Sequence, residues 1–136
     1  YNGCEIVVES NNHGYATVTH LQRALEYPFV HFQKIEANAE DQDTIRLGYR
    51  VTVQTKPLII DNLRSQFTND AIKIVDKQTL SEMRTYIIDD AGKYGAEKAR
   101  NIHDDTVMAL ALANHIWAEP FDPIMNEESW YLNQNY

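Results

Sequence analysis

The spacing of apolar positions changes period several times along the chain. Ile6, Val7 and Val8 make a β-branched run bracketed by Glu5 and Glu9, and Ser10-Asn11-Asn12-His13-Gly14 follows with turn-forming residues. This pattern predicts a buried strand over residues 5–9 that ends in a loop. Tyr15, Val18, Leu21, Gln22 and Leu25 then recur at helical spacing, so residues 15–26 are predicted to form an amphipathic helix ending near Pro28. The opening of the chain is therefore a strand, tight loop, helix unit.

Residues 29–35 read as a second strand and the acidic stretch 36–43 as a solvated loop. Ile45, Leu47, Tyr49, Val51 and Val53 alternate with Arg46, Gly48, Arg50, Thr52 and Gln54, a period of two that predicts one strand over 45–53 with a cationic outer face. Thr55-Lys56-Pro57 supplies a capping hydroxyl and a proline near a helix start, which predicts a helix over 58–67. Residues 71–75 suggest a short strand. Thr79 and Glu82 have capping-box spacing and open a further helix, and Asp90-Ala91-Gly92 is expected to turn between two short strands within 85–96.

Residues 104–117 give the strongest helix. Two aspartates open it, and Val107, Met108, Ala109, Leu110, Ala111, Leu112, Ala113 and Ile116 leave almost no polar face, so it is expected to be buried. Glu119-Pro120-Phe121-Asp122-Pro123 breaks the pattern. The order of elements is mixed α/β, with one domain over residues 1–118 and a tail or docking segment over 119–136.

Length and charge narrow the classes. A chain of 136 residues fits a single domain, and its longest apolar run, Val107 to Ala113, falls far short of the roughly 18 residues of a membrane span. No membrane association is expected. A lone Cys4 permits no internal disulfide and no cysteine-based zinc cage, which makes a reducing compartment the default and a buried thiol the expectation. The net charge of −8 argues against a protein that simply coats nucleic acid. Its distribution matters more: all 12 Lys and Arg lie between Arg23 and Arg100, and both ends of the chain are purely acidic.

Two places can carry chemistry. Glu9 stands at the C-terminal end of a strand and before a loop, where open α/β sheets place their ligands, although turn hydrogen bonds alone would also explain it. His103-Asp104-Asp105 opens the apolar helix. One aspartate there is explained by the helix dipole, whereas two adjacent carboxylates repel each other unless a divalent cation joins them. An oxygen-rich set of this kind suits Mg²⁺ or Mn²⁺ rather than zinc.

Val7-Val8-Glu9-Ser10-Asn11-Asn12-His13-Gly14, then Thr55-Lys56-Pro57, then His103-Asp104-Asp105-Thr106-Val107-Met108-Ala109-Leu110-Ala111-Leu112-Ala113 resemble, in order and spacing, the C-terminal nuclease domain of the large terminase subunit of tailed bacteriophages and herpesviruses. The His-Asp-Asp element with its Val-Met-Ala-Leu helix is the specific part. The resemblance implies an RNase H-like nuclease fold, a mixed sheet flanked by helices, and metal-dependent endonucleolytic cutting of concatemeric double-stranded DNA during genome packaging. It implies a site of two Mg²⁺ or Mn²⁺ ions, with Glu9 and Asp104 or Asp105 among the carboxylate ligands and His103 in an auxiliary place. It also implies the terminase ATPase domain, the portal and the small terminase subunit as partners, and the cytoplasm of a bacterial host, as a phage or prophage protein.

In that family the first acidic ligand lies on an initial strand well upstream of the element matched by Glu9, and the ATPase carries a phosphate-binding loop. Neither is present in this sequence, so the expectation is a domain without its initial strands and with an incomplete catalytic set. The segment at 5–9 would then present an unpaired edge, open to upstream residues or to intermolecular strand pairing. Another RNase H-like nuclease such as a junction resolvase, or a catalytically incomplete DNA-binding or partner-binding module, are the alternative readings. Arg46 and Arg50, on one face of the alternating strand, are expected near the DNA path with Lys34 and Lys56.

Overall fold

The structure, a computed structural model, describes residues 3–35, 44–97 and 102–117. The expected acidic loop at 36–43 and the tail at 119–136 lie outside the described residues. Among those described, the chain is mixed α/β, with four helices and two two-stranded antiparallel sheets. It divides into two units, one built on Tyr1–Val51 and the other on Thr52–Glu119.

In the first unit, β-branched Ile6, Val7 and Val8 favour extended backbone. The segment pairs in parallel at two isolated positions, Ile6 with Val30 and Glu9 with Tyr49, rather than as one continuous strand. Ile6 N–H donates to the Phe29 carbonyl (2.8 Å), His31 N–H to Ile6 (2.9 Å), Tyr49 N–H to Val8 (2.9 Å) and Ser10 N–H to Tyr49 (2.8 Å). All of these bonds use Ile6, Val8 and Ser10, which share one edge because successive residues of extended chain point their backbone groups to opposite sides. The backbone groups of Glu5, Val7 and Glu9 on the other edge have no backbone partner among the described residues.

Helix α1 (Gly14–Arg23) connects the two paired segments and buries Val18 and Gln22. Its apolar face is narrower than the spacing suggested, since Tyr15 and Leu25 are exposed. Strands β1 (Phe32–Ile35) and β2 (Thr44–Leu47) pair antiparallel, with Phe32 opposite Leu47. The strand expected over 45–53 stops there. Gly48 has φ +72°, and a Cβ built on it would lie 2.6 Å from the Val8 carbonyl oxygen. That left-handed backbone redirects the chain from β1 to the segment around Val8, and the alternation no longer holds one face beyond it; Val53 is 87% exposed. Cys4 is exposed, not buried, because it lies outside the paired segment.

In the second unit, helix α2 (Thr55–Thr68) starts on a reciprocal cap. Thr55 N–H donates to the Thr52 hydroxyl (3.1 Å) and Thr52 N–H to the Thr55 hydroxyl (2.8 Å), so Thr52, rather than Thr55, caps the helix. Residues 71–75 form no strand. Ile72 and Ile74 are half-buried and Val75 is exposed, so the alternation is present but no neighbouring strand among the described residues meets it. Helix α3 (Lys77–Arg84) is capped by Asp76, whose carboxylate accepts from Thr79 N–H.

Strands β3 (Tyr86–Ile88) and β4 (Tyr94–Ala96) form the expected hairpin, closed by Asp89, whose carboxylate accepts from Ala91 N–H and Lys93 N–H. Helix α4 (Asp105–Trp117) packs against α2 and α3. Ile59, Ile60 and Leu63 of α2 and Val107, Met108, Ala111, Leu112 and Ile116 of α4 are buried. The helix is not buried on all sides: Ala109, Ala113 and Trp117 are exposed. Among the described residues no helix is long and apolar enough to cross a membrane.

Candidate active site

Glu9 closes the paired segment of the first unit and is half-buried. The Asn11 side-chain amide donates to the Glu9 carboxylate (3.0 Å) and to the Val51 carbonyl (2.8 Å), so the turn after the strand fixes the acid. Gly14 explains the remaining spacing. A Cβ built on it would fall 1.7 Å from the Glu9 carbonyl oxygen, so the first turn of α1 reaches its position only without a side chain there. Of the residues read from sequence as turn formers, Asn11 thus holds the Glu9 carboxylate and Gly14 allows close approach to the Glu9 backbone carbonyl.

Asp104 and Asp105 open α4 in the second unit, and they diverge. Asp105 is exposed, as is His103, whereas Asp104 is half-buried. The Asp104 carbonyl accepts the first helical bond, from Met108 N–H (2.9 Å), which places Asp104 at the N-cap. Its carboxylate takes a different partner, the Lys56 ammonium at 3.3 Å, with both side chains 26% exposed. Lys56 comes from the first turn of α2 and also lies 5.8 Å from the centre of the Tyr86 ring. Burial, then the Asp104 and Tyr94 charges, push the Tyr86 phenol far above its usual range, so it stays neutral. Gly95 of β4 leaves room beside the pair, since a Cβ there would be 3.7 Å from Asp104 Oδ2 and 4.0 Å from Lys56 Nζ.

The usual work of an N-cap carboxylate is done by Glu82, a residue the sequence pattern assigned to the start of α3. Asp76 caps α3, and Glu82 lies 8% exposed at its far end. One of its oxygens accepts from Thr106 N–H (2.8 Å), the Thr106 hydroxyl (2.6 Å) and Val107 N–H (3.3 Å). The other accepts from Gln78 (3.2 Å). Burial pushes the Glu82 carboxyl up, but the hydrogen bonds from Thr106, Gln78 and Val107 together outweigh it and hold it below its usual range. Local spacing carried no signal for this role, because Thr79 and Glu82 match a capping box although Asp76 caps α3.

The structure therefore brings Lys56 and Asp104 together. Arg46 on β2 is half-buried and Arg50 is exposed; the positive φ of Gly48 between them ends the strand, so they do not share the single strand face that the alternation suggested. Lys34 is exposed on β1, across from Ile45. Among the described residues no group of three or more His, Cys, Asp and Glu is gathered to hold a metal ion. Glu9, Asp104 and Asp105 carry carboxylate oxygens, the donor type that hard divalent ions take, and the Asp104 carboxylate is paired with the Lys56 ammonium. Comparisons of the chain with protein-family models, with curated proteins and with solved structures find no match.

Proposed function

We propose that the chain is a metal-dependent DNA endonuclease domain of the terminase large-subunit type, RNase H-like in architecture, cutting double-stranded DNA during genome packaging. The observation that carries this reading is the Asp104 carboxylate. It stands at an N-cap yet pairs with the Lys56 ammonium, while Thr106 N–H and Val107 N–H donate to Glu82. Glu9, steadied by Asn11 at the end of its paired segment, is the other acid that the resemblance implies.

Mg²⁺ or Mn²⁺ bound by such carboxylates supplies a nucleophilic water and stabilises charge on the phosphate. The protein's own contribution is to hold the oxygen donors in place. Lys56 pairs with the Asp104 carboxylate, and Arg46, Arg50 and Lys34 offer charge for the DNA backbone. The terminase ATPase, portal and small subunit are the partners that this function entails, in the cytoplasm of a phage-infected or prophage-bearing bacterium.

Mn²⁺ titration of the full chain, followed by electron paramagnetic resonance, tests the proposal. Glu9→Gln and Asp104→Asn should each weaken Mn²⁺ binding by about tenfold or more, while Asp61→Asn on the exposed side of α2 should not. Unchanged affinity in both variants would remove the metal site. Charge reversal at Arg46 and Arg50 should lower DNA affinity and flatten its salt dependence.

A further inference from the structure

Asp104 occupies the position where an aspartate ordinarily accepts from the second and third backbone N–H groups of its own helix. Those donors, Thr106 N–H and Val107 N–H, instead converge with the Thr106 hydroxyl on one oxygen of Glu82, 22 residues earlier in sequence than Asp104, on α3. A carboxylate cannot serve both as the cap of its helix and as an outward ligand with full freedom, because the backbone donors and the Lys56 ammonium pull it in different directions. Glu82 removes one of the two demands.

We infer that Glu82 is a positioning residue: by capping α4 in place of Asp104, it frees the Asp104 carboxylate to bind a cation outside the helix. The cation is the Lys56 ammonium in the structure, and a divalent metal when the site is loaded; this second half rests on the proposed nuclease reading. Without Glu82, Asp104 would turn back onto Thr106 N–H and Val107 N–H, and its bond to Lys56 would be lost. The helix would stay capped, and only the direction of the carboxylate would change.

The test uses the full chain in wild-type, Glu82→Ala and Glu82→Gln forms. A thermal double-mutant cycle between Lys56→Met and Asp104→Asn should show coupling in the wild-type background and none in Glu82→Ala. Hydrogen exchange at Thr106 and Val107 should stay slow in Glu82→Ala and become fast only in Glu82→Ala/Asp104→Ala, since Asp104 takes over the cap and alanine has no acceptor to do so. Glu82→Gln retains an acceptor oxygen and should restore both readouts, and Mn²⁺ binding should weaken about tenfold or more in Glu82→Ala but not in Glu82→Gln.

Undiminished Lys56–Asp104 coupling in a folded Glu82→Ala variant would overturn the inference. Should that variant not fold, Glu82→Asp draws the carboxylate back from Thr106 N–H and Val107 N–H by one methylene and should reduce the coupling; unchanged coupling there overturns the inference equally. Mn²⁺ binding that is indifferent to both Glu9→Gln and Asp104→Asn would remove the nuclease reading alone, and the coupling and exchange results would still decide the role of Glu82.

Discussion

The Asn11 amide is bound to the Glu9 carboxylate at 3.0 Å with its orientation dictated by both neighbours. Glu9 Oε1 and the Val51 carbonyl are acceptors only, so the NH₂ group must face them. The Asn11 carbonyl oxygen is left buried with no partner among the described residues. This is an unfavourable arrangement for Asn11 itself, and it is held by the two bonds that the amide makes.

Asn11→Asp should accordingly be far more damaging than its size suggests, since it sets a carboxylate against another carboxylate and a carbonyl. Loss of the two bonds, with their acceptors left half-buried, should cost about 2 to 3 kcal/mol in urea denaturation at neutral pH. Asn11→Ala should cost about 1 to 2 kcal/mol. Only the Asp variant should recover relative to wild type as the pH falls, because protonation of one carboxyl restores a donor between them.

Gly14→Ala reverses an ordinary rule. Alanine within a helix normally gains up to about 1 kcal/mol over glycine. Here the added Cβ would meet the Glu9 carbonyl oxygen at 1.7 Å and its carbon at 2.9 Å, both backbone atoms that cannot step aside. The variant should lose about 3 kcal/mol or more, and Mn²⁺ binding should weaken with it as Glu9 is displaced. Gly92→Ala is the control: a Cβ there meets nothing within 4 Å, so only its φ of +74° opposes the change, at about 1 to 2 kcal/mol.

These residues show which features could be read from sequence. Helices α2 and α4 and the β3–β4 hairpin follow from local period and turn chemistry, and the structure contains them at nearly the expected bounds. The strand over 45–53 failed at Gly48, where a contact with Val8, distant in sequence, decided the backbone conformation. Residues 71–75 had a strand's alternation and no partner to pair with. Asp104 was legible as a candidate because two acids at the start of an apolar helix invite an explanation. Glu82 was not, because its spacing from Thr79 matched a capping box while its actual donors lie on α4. Local spacing gives a side chain one candidate partner, and packing of α3 against α4 supplies another.

Packing in the second unit should follow the same distinction between faces. Ile59 and Leu63 are 0% and 2% exposed on the side of α2 that meets α4, whereas Leu58 is 65% exposed. Leu63→Ala should lower stability by about 2 to 5 kcal/mol through lost burial and the cavity left behind. Leu58→Ala, the same substitution five residues earlier in the same helix, should change it by no more than about 0.5 kcal/mol in chemical denaturation. Equal losses at both positions would mean that α2 meets α4 through a different face.

The pH dependence of stability should carry one signature on each side of neutrality. Glu82 is held below the ordinary carboxyl value of 4.5 once its hydrogen bonds have outweighed burial. A depressed carboxyl contributes stability that is fully present above its unfolded value and lost as the pH falls through the folded one. Asp76 acts in the same sense, through the bonds it accepts from Thr79. Tyr86 is the reverse case, raised above 10.0 by burial and by the Asp104 and Tyr94 charges. Its contribution is present below the unfolded value and is lost as the pH rises through the folded one, because ionisation would place a phenolate in a partly buried site beside Asp104. Melting temperatures measured from acid to alkaline pH should therefore show a shallower acid limb in Glu82→Gln, which has no proton to take up there. Tyr86→Phe should flatten the alkaline limb and leave the acid limb as in wild type. A Glu82→Gln acid limb as steep as that of the wild type would mean that the Thr106 and Val107 bonds do not favour the charged form of Glu82.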